Sequence, residues 1–161
     1  MGGSQGLLFF TVLLLCVLSY FLFSRFVVTA VVVKGRSMAP TLQDGDHCIL
    51  NRLPLWLREP RRGDLVVIED AGHSDYAVKR IVALPGETIA IRENQVWIDG
   101  EALAEPYLGT GIKTQTLTHE AICRQMGQEE YYVMGDNRPT SEDSRSYGPM
   151  NRTQIVGLLI R

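Results

Sequence analysis

A chain of 161 residues, 45% hydrophobic and 21% charged, has room for one compact domain once a membrane segment is subtracted. Its net charge of -2, without a basic block or a zinc-like cysteine spacing, argues against a nucleic-acid partner and a metal site, and nothing in it calls for a cofactor. Lysine is scarce, with Lys34, Lys79 and Lys113 standing against thirteen arginines, so chemistry that needs an amine has few candidates.

Residues 1–6 form a short tail. Leu7 to Phe23 is then an uncharged run of 17 residues, about 26 Å long as a helix, at the short end of what crosses a bilayer. Arg25 closes an expected transmembrane anchor over residues 7–25. Phe26 to Val33 continues apolar but β-branched, which favours a strand and opens a β-rich domain over residues 26–161. The competing reading is a cleavable signal peptide, but the tail MGGSQG offers no lysine or arginine for a charged n-region. Arg25, Lys34 and Arg36 by themselves favour a cytoplasmic domain.

Val31 to Leu42 (VVVKGRSMAPTL) places one serine directly after the apolar run. Gly35 permits backbone geometries that other residues avoid, and Pro40 restricts both itself and Ala39, so Ser37 is expected on a rigid bend. Such a serine is either a turn residue or a nucleophile, and the second role requires a base to take its proton.

Asp44 to Leu53 joins a turn signal to a short strand, and Pro54 to Arg62 reads as a loop. Leu55, Trp56 and Leu57, set among charged side chains, suit either a bilayer interface or an ordinary packed surface. Leu65 to Ile68 is apolar throughout and is expected to be a central strand, with a turn over Gly72 to Asp75.

Tyr76 to Gly86 (YAVKRIVALPG) carries Lys79 and Arg80 through an apolar strand that stops at Pro85-Gly86. Adjacent strand residues face opposite sides, so at most one of the two need reach solvent. Burial disfavours the charged form of a lysine and makes it a competent general base, whereas a lysine that snorkels to the surface has no such role.

Short strands are expected over Thr88 to Ile91, Gln95 to Ile98 and Glu101 to Leu103, with an Asp99-Gly100 hairpin turn between the last two. Leu108 to Glu130 lacks periodicity and is read as an irregular or ribbon-like excursion. Tyr131 to Met134 returns to strand. Gly135 to Met150 is then a polar stretch of 16 residues without a helical pattern, long enough to imply a function, and Thr153 to Ile160 closes the chain as a strand. A disulfide between Cys48 and Cys123 has no supporting signal, and Cys16 lies in the apolar run.

Three histidines, His47, His73 and His119, allow a Ser-His-Asp arrangement to be tested, but each lies in a polar or turn-like setting and no G-x-S-x-G elbow occurs. A Ser-Lys dyad of Ser37 and Lys79, with a hydroxyl of the late polar loop to orient the amine, fits better.

Four stretches, GRSMAPTL, RRGDLVVI, YAVKRIVALPGE and GDNRPTSEDSRSYGP, resemble the type I signal peptidases in order and in the apolar segment before them. The last match is specific, and the likeness omits only about 40 residues from Ile89 onward, a variable ribbon-like insertion around residues 89–130. The resemblance implies a mainly β, signal-peptidase-like β-barrel catalytic domain, related to the self-cleaving repressors, behind one transmembrane helix. It implies an endopeptidase on the outer face of a bacterial cytoplasmic membrane, or of a mitochondrial inner membrane, acting beside the lipid bilayer on precursor proteins that carry signal peptides. The absence of an Arg-rich, Ser-rich transit peptide favours the bacterial membrane.

Position by position, the resemblance makes Ser37 the nucleophile, with its own backbone N–H in the oxyanion hole, and Lys79 the general base. Ser141 orients the amine, and Asp143 and Arg145 form a structural ion pair. The family's second oxyanion donor, a serine two positions before the nucleophile in some members, is replaced by Gly35, and Arg36 replaces a smaller neighbour. Val31, Val33, Gly35, Tyr76 and Val78 are expected to line the substrate site, where small residues at positions one and three before the cut would fit an Ala-x-Ala preference. Two alternatives have different signatures. A self-cleaving repressor would carry a helix-turn-helix where the apolar segment lies, and an inactive membrane-tethered binding module would lack Ser37 or Lys79.

Overall fold

The structure, a computed structural model, describes residues 3–69, 76–116 and 122–160. Helix α1 (Gly3–Val27) leads into strand β1 (Val28–Val32), followed by β2 (His47–Asn51), α2 (Pro54–Leu57), β3 (Leu65–Glu69) and β4 (Tyr76–Ala83). Next come β5 (Thr88–Arg92), β6 (Gln95–Ile98), β7 (Glu101–Ala102), β8 (Ile122–Gln125) and β9 (Glu130–Met134). The chain ends with α3 (Ser144–Tyr147), β10 (Met150–Asn151), a 3-10 turn and β11 (Ile155–Ile160).

Two antiparallel sheets carry the domain. Seven strands follow the order β1-β2-β11-β3-β4-β9-β10, and four follow β7-β6-β5-β8. The expected β-barrel thus takes the form of a curled sheet with edges at β1 and β10. Its curl brings residues of β1, β2, β11, β3 and β4 around one groove. Strand β4 ties the two halves together, because residues 76–80 pair with β3 and residues from Arg80 onward pair with β9. Val82, Ala83, Ile89, Val96 and Met134 fill one core, and Val66, Ile68, Ile81, Val133 and Leu158 fill a second. A third core, built from Val33, Met38, Leu42, Leu50, Val67 and Leu159, underlies the segment that carries Ser37.

Local sequence accounts for many of these elements. Asp99 and Gly100 both adopt positive φ, as the β6–β7 hairpin requires, and Glu93 and Asn94 do the same between β5 and β6. Strand β3 is central, with Val66, Val67 and Ile68 buried between β11 and β4.

Several expectations are corrected. The helix-to-strand change falls at Val27–Val28 rather than at Ser24–Arg25, because β2 supplies a partner only from there: Val28 registers with Asn51, and the Val27 carbonyl accepts the Arg52 N–H at 2.9 Å. The loops over residues 54–62 and 135–150 each contain one helical turn. Pro54 starts α2, and Asp143 caps α3 by accepting the Arg145 N–H. The excursion over residues 108–130 contains β8, which pairs with β5. Cys48 is buried on β2 and Cys123 exposed on β8, so the two lie on different sheets. The turn expected over residues 72–75 lies outside the described residues.

Most apolar side chains of α1 are exposed, including Leu7, Phe10, Leu14 and Phe21. Among the described residues, no helix is long and apolar enough to cross a membrane.

Candidate active site

Ser37 lies in the connection from β1 to β2, and short hydrogen bonds close this connection on itself. Val33 donates to Asp46 O and receives the Gly45 N–H, each at 2.9 Å, and the Gly35 N–H donates to Asp44 Oδ1 at 2.8 Å. Gly35 has φ +85°, where a side chain would be strained. Buried Met38 and Leu42 pin the far side of the bend, leaving Ser37 half-buried. The Ser37 N–H makes no hydrogen bond among the described residues, whereas that of Gly35 is already engaged.

Lys79 and Arg80 are both buried, at 5% and 8% exposure, because β4 has packed elements on both faces. The Lys79 ammonium donates to Ser141 Oγ at 3.2 Å. Arg80 follows a different course. It grips Asp136 through two nitrogens at 2.8 and 2.6 Å, donates to the Gly63 carbonyl at 2.9 Å and lies 4.0 Å above the Tyr107 ring. Asp136 also accepts from Thr41 Oγ1, so one carboxylate joins β4 to the serine segment.

The late polar loop is held from within by the Asp143–Arg145 ion pair, 2.8 Å long and with both side chains essentially inaccessible. Asp143 also accepts the Gly135 N–H at 3.0 Å, and Arg145 donates to the carbonyls of Arg138 and Ser141. These contacts fix Ser141 beneath Lys79. A β-carbon on Gly135 would collide with the Ser141 side chain and lie 2.5 Å from the Ser37 carbonyl oxygen, so any side chain there forces Ser141 or the serine bend to shift. Asn137 completes the junction by donating its main-chain N–H to Ser37 O at 2.9 Å and its side-chain amide to Arg36 O at 3.0 Å.

The groove beside Ser37, of about 520 Å³, is lined by Val31, Val33, Met38, Tyr76 and Val78 among others. Gly35, expected in that lining, is not part of it. His47 is exposed on β2 and also absent from the lining, while His73 and His119 lie outside the described residues. Sequence reasoning singled out Ser37, Lys79 and Ser141 but missed the supporting roles of Gly135, Asp136, Asn137 and the buried Arg138–Glu105 pair. The unbroken run Gly135-Asp136-Asn137-Arg138 was the available signal.

A model of the family described as signal peptidase, peptidase S26, matches residues 6–160. The chain belongs to that family. It is a serine endopeptidase of the signal peptidase I type. The chain is 36% identical over 142 residues to a signal peptidase I of Bacillus amyloliquefaciens, covering 84% of this chain and 76% of that one. Signal peptidase I T of Bacillus subtilis is 35% identical over 152 residues, covering 91% and 76%. The crystal structure of a signal peptidase I from Enterococcus faecalis is similar at a TM-score of 0.55 and 25% identity, over 64% of this chain and 98% of that one.

Proposed function

We propose that this peptidase removes signal peptides from precursor proteins at the outer face of a bacterial cytoplasmic membrane, using Ser37 as nucleophile and Lys79 as general base. The observation that carries this reading is the buried Lys79 amine, 3.2 Å from Ser141 Oγ, with the Ser141 side chain and the Ser37 carbonyl both packed against Gly135 and Ser37 lining the adjoining groove. Removal from water disfavours the ammonium form, and a neutral amine can accept the Ser37 proton. The Ser37 oxygen then attacks the carbonyl carbon of the scissile peptide, and the Ser37 N–H donates to the resulting oxyanion. Collapse breaks the C–N bond, and the protonated Lys79 returns its proton to the departing amine. Lys79 next takes a proton from water, whose oxygen attacks the ester; the C–Oγ bond breaks, and Lys79 gives that proton to Ser37 Oγ, restoring the hydroxyl and the neutral amine. Ser141 holds the amine in place, and the Asp143–Arg145 pair holds Ser141.

A substrate strand laid between β1 and the first half of β4 pairs through its main chain and presents alternate side chains to the groove. Val31, Val33, Tyr76 and Val78 leave room for small residues at positions one and three before the cut, hence Ala-x-Ala. The uncharged run Leu7 to Phe23, on a helix of 25 residues where Leu7, Phe10, Leu14 and Phe21 among others are exposed, is proposed as the anchor that confines the enzyme beside the bilayer. The test is full-length protein in detergent with a precursor bearing Ala-x-Ala, followed by N-terminal sequencing of the product. Cleavage after the second alanine that disappears in Ser37→Ala is expected, and cleavage at unrelated bonds would refute the specificity.

A further inference from the structure

The groove that holds Ser37 carries two cations, Lys34 near the serine and Arg52 at the opposite end, and no carboxylate among its described lining residues. Arg52 has an unusual setting for a half-buried arginine. Its guanidinium donates to Thr29 Oγ1 at 3.0 Å, and among the described residues no carboxylate pairs with it. A hydroxyl satisfies one of five guanidinium donors and leaves the charge uncompensated, so the side chain is preorganised to receive an acceptor from whatever occupies the groove.

Register decides which part of the occupant that is. Thr29 pairs with Leu50 and Val31 with Cys48, so Thr29, Val31 and Val33 project from one face of β1, with Leu50 and Arg52 on the same face of β2. From Val33 to Thr29 is four residues, a distance of about 13 Å along the strand. A substrate strand running beside β1 faces the groove with every second residue. If positions one and three before the cut lie against Val33 and Val31, the next residue on that face is the fifth, opposite Thr29 and Arg52.

Resting on the proposed substrate groove, we infer that Thr29 and Arg52 form a subsite for the fifth residue before the cut, favouring an acceptor side chain, above all a carboxylate, and rejecting a basic one. Arg52 is a specificity-determining residue and takes no part in bond breaking.

The test uses full-length enzyme in neutral detergent and three synthetic precursor peptides that differ only in Glu, Gln or Lys at that fifth position. The wild type is expected to rank them Glu, Gln, Lys in kcat/KM, with about a tenfold spread for one desolvated charge contact. Arg52→Lys should keep the order and Arg52→Glu should invert it. Because each ratio is taken within one variant, loss of folded protein cancels. An identical spread in the wild type and Arg52→Glu would overturn the subsite. So would an Arg52→Glu effect that is equal for all three peptides and confined to assays with anionic vesicles, which would assign the guanidinium to lipid phosphate. Turnover that persists in Ser37→Ala would refute the dyad itself and can be read independently of the peptide ranking.

Discussion

The side-chain amide of Asn137 donates to the carbonyl oxygen of Arg36 at 3.0 Å, a contact between residues 101 apart in sequence. With the Asn137 main-chain N–H on Ser37 O, it clamps the late polar loop to the serine bend. The loop that carries Ser141 and the bend that carries Ser37 are therefore joined directly to each other, while Lys79 enters from β4. Asn137→Ala is expected to lower kcat with little change in KM, because it loosens the proposed Ser37–Lys79 dyad and leaves the groove intact. A rise in KM alone, measured with an Ala-x-Ala peptide, would count against this clamp.

Lys79→Arg preserves charge and approximate length but removes any group that can lose its proton near neutrality. Turnover should fall by about 10²–10⁴-fold, as far as in Lys79→Ala. The wild-type rate should rise with pH as the amine deprotonates. Retained turnover in Lys79→Arg, or a pH profile that vanishes on substitution of His47, would remove lysine from the mechanism.

Gly135→Ala places a methyl group between the Ser141 side chain and the Ser37 carbonyl. The expected cost is about 1–3 kcal/mol of stability, as for other overpacked sites, together with a loss of kcat from displaced Ser141. Denaturant melts and initial rates measure both, and unchanged values in the variant would show that the loop relaxes freely.

Glu105→Gln leaves the guanidinium of Arg138 buried without its carboxylate. Breaking a buried pair from one side costs about 3–5 kcal/mol. Because Tyr107 hydrogen-bonds Glu105 and stacks on Arg80, the loss should also reach the Arg80–Asp136 pair and the serine segment. A melt within experimental error of the wild type would show that this pair contributes nothing to stability.

Burial raises the pKa of Tyr132 and of Tyr107 above the ordinary tyrosine value, and burial together with Glu59 pushes that of Tyr131 up to about 12. An unfolded tyrosine loses its proton near pH 10 while the folded one keeps it, so the unfolded state binds fewer protons in that range and stability falls as pH rises above about 10. The Tyr132 hydroxyl has no hydrogen-bond partner among the described residues. Tyr132→Phe should therefore be neutral or stabilising at pH 7 and should flatten the decline in denaturation midpoint between pH 9 and 11, all three values being approximate settings for the assay. An unaltered slope would exclude Tyr132 as a contributor.

Much of the candidate site was legible from local signals. A lysine inside an apolar strand, a serine between Gly35 and Pro40, and a long polar loop before the last strand each mark a position where local composition departs from its surroundings. Hairpin turns such as Asp99-Gly100 are equally local, since positive φ is a property of a few residues. Tertiary structure decided what no window of sequence contains. Whether Arg80 joins Lys79 in the interior depends on Asp136, 56 residues away, which compensates its charge. Whether position 135 must be glycine depends on how closely two distant loops approach. The end of α1 at Val27 depends on where β2 offers its backbone, because residues 26–33 are compatible with helix or strand until a partner strand satisfies their hydrogen bonds. Residue type is a local quantity, but burial, charge compensation and strand pairing are set by neighbours that only the folded chain brings together.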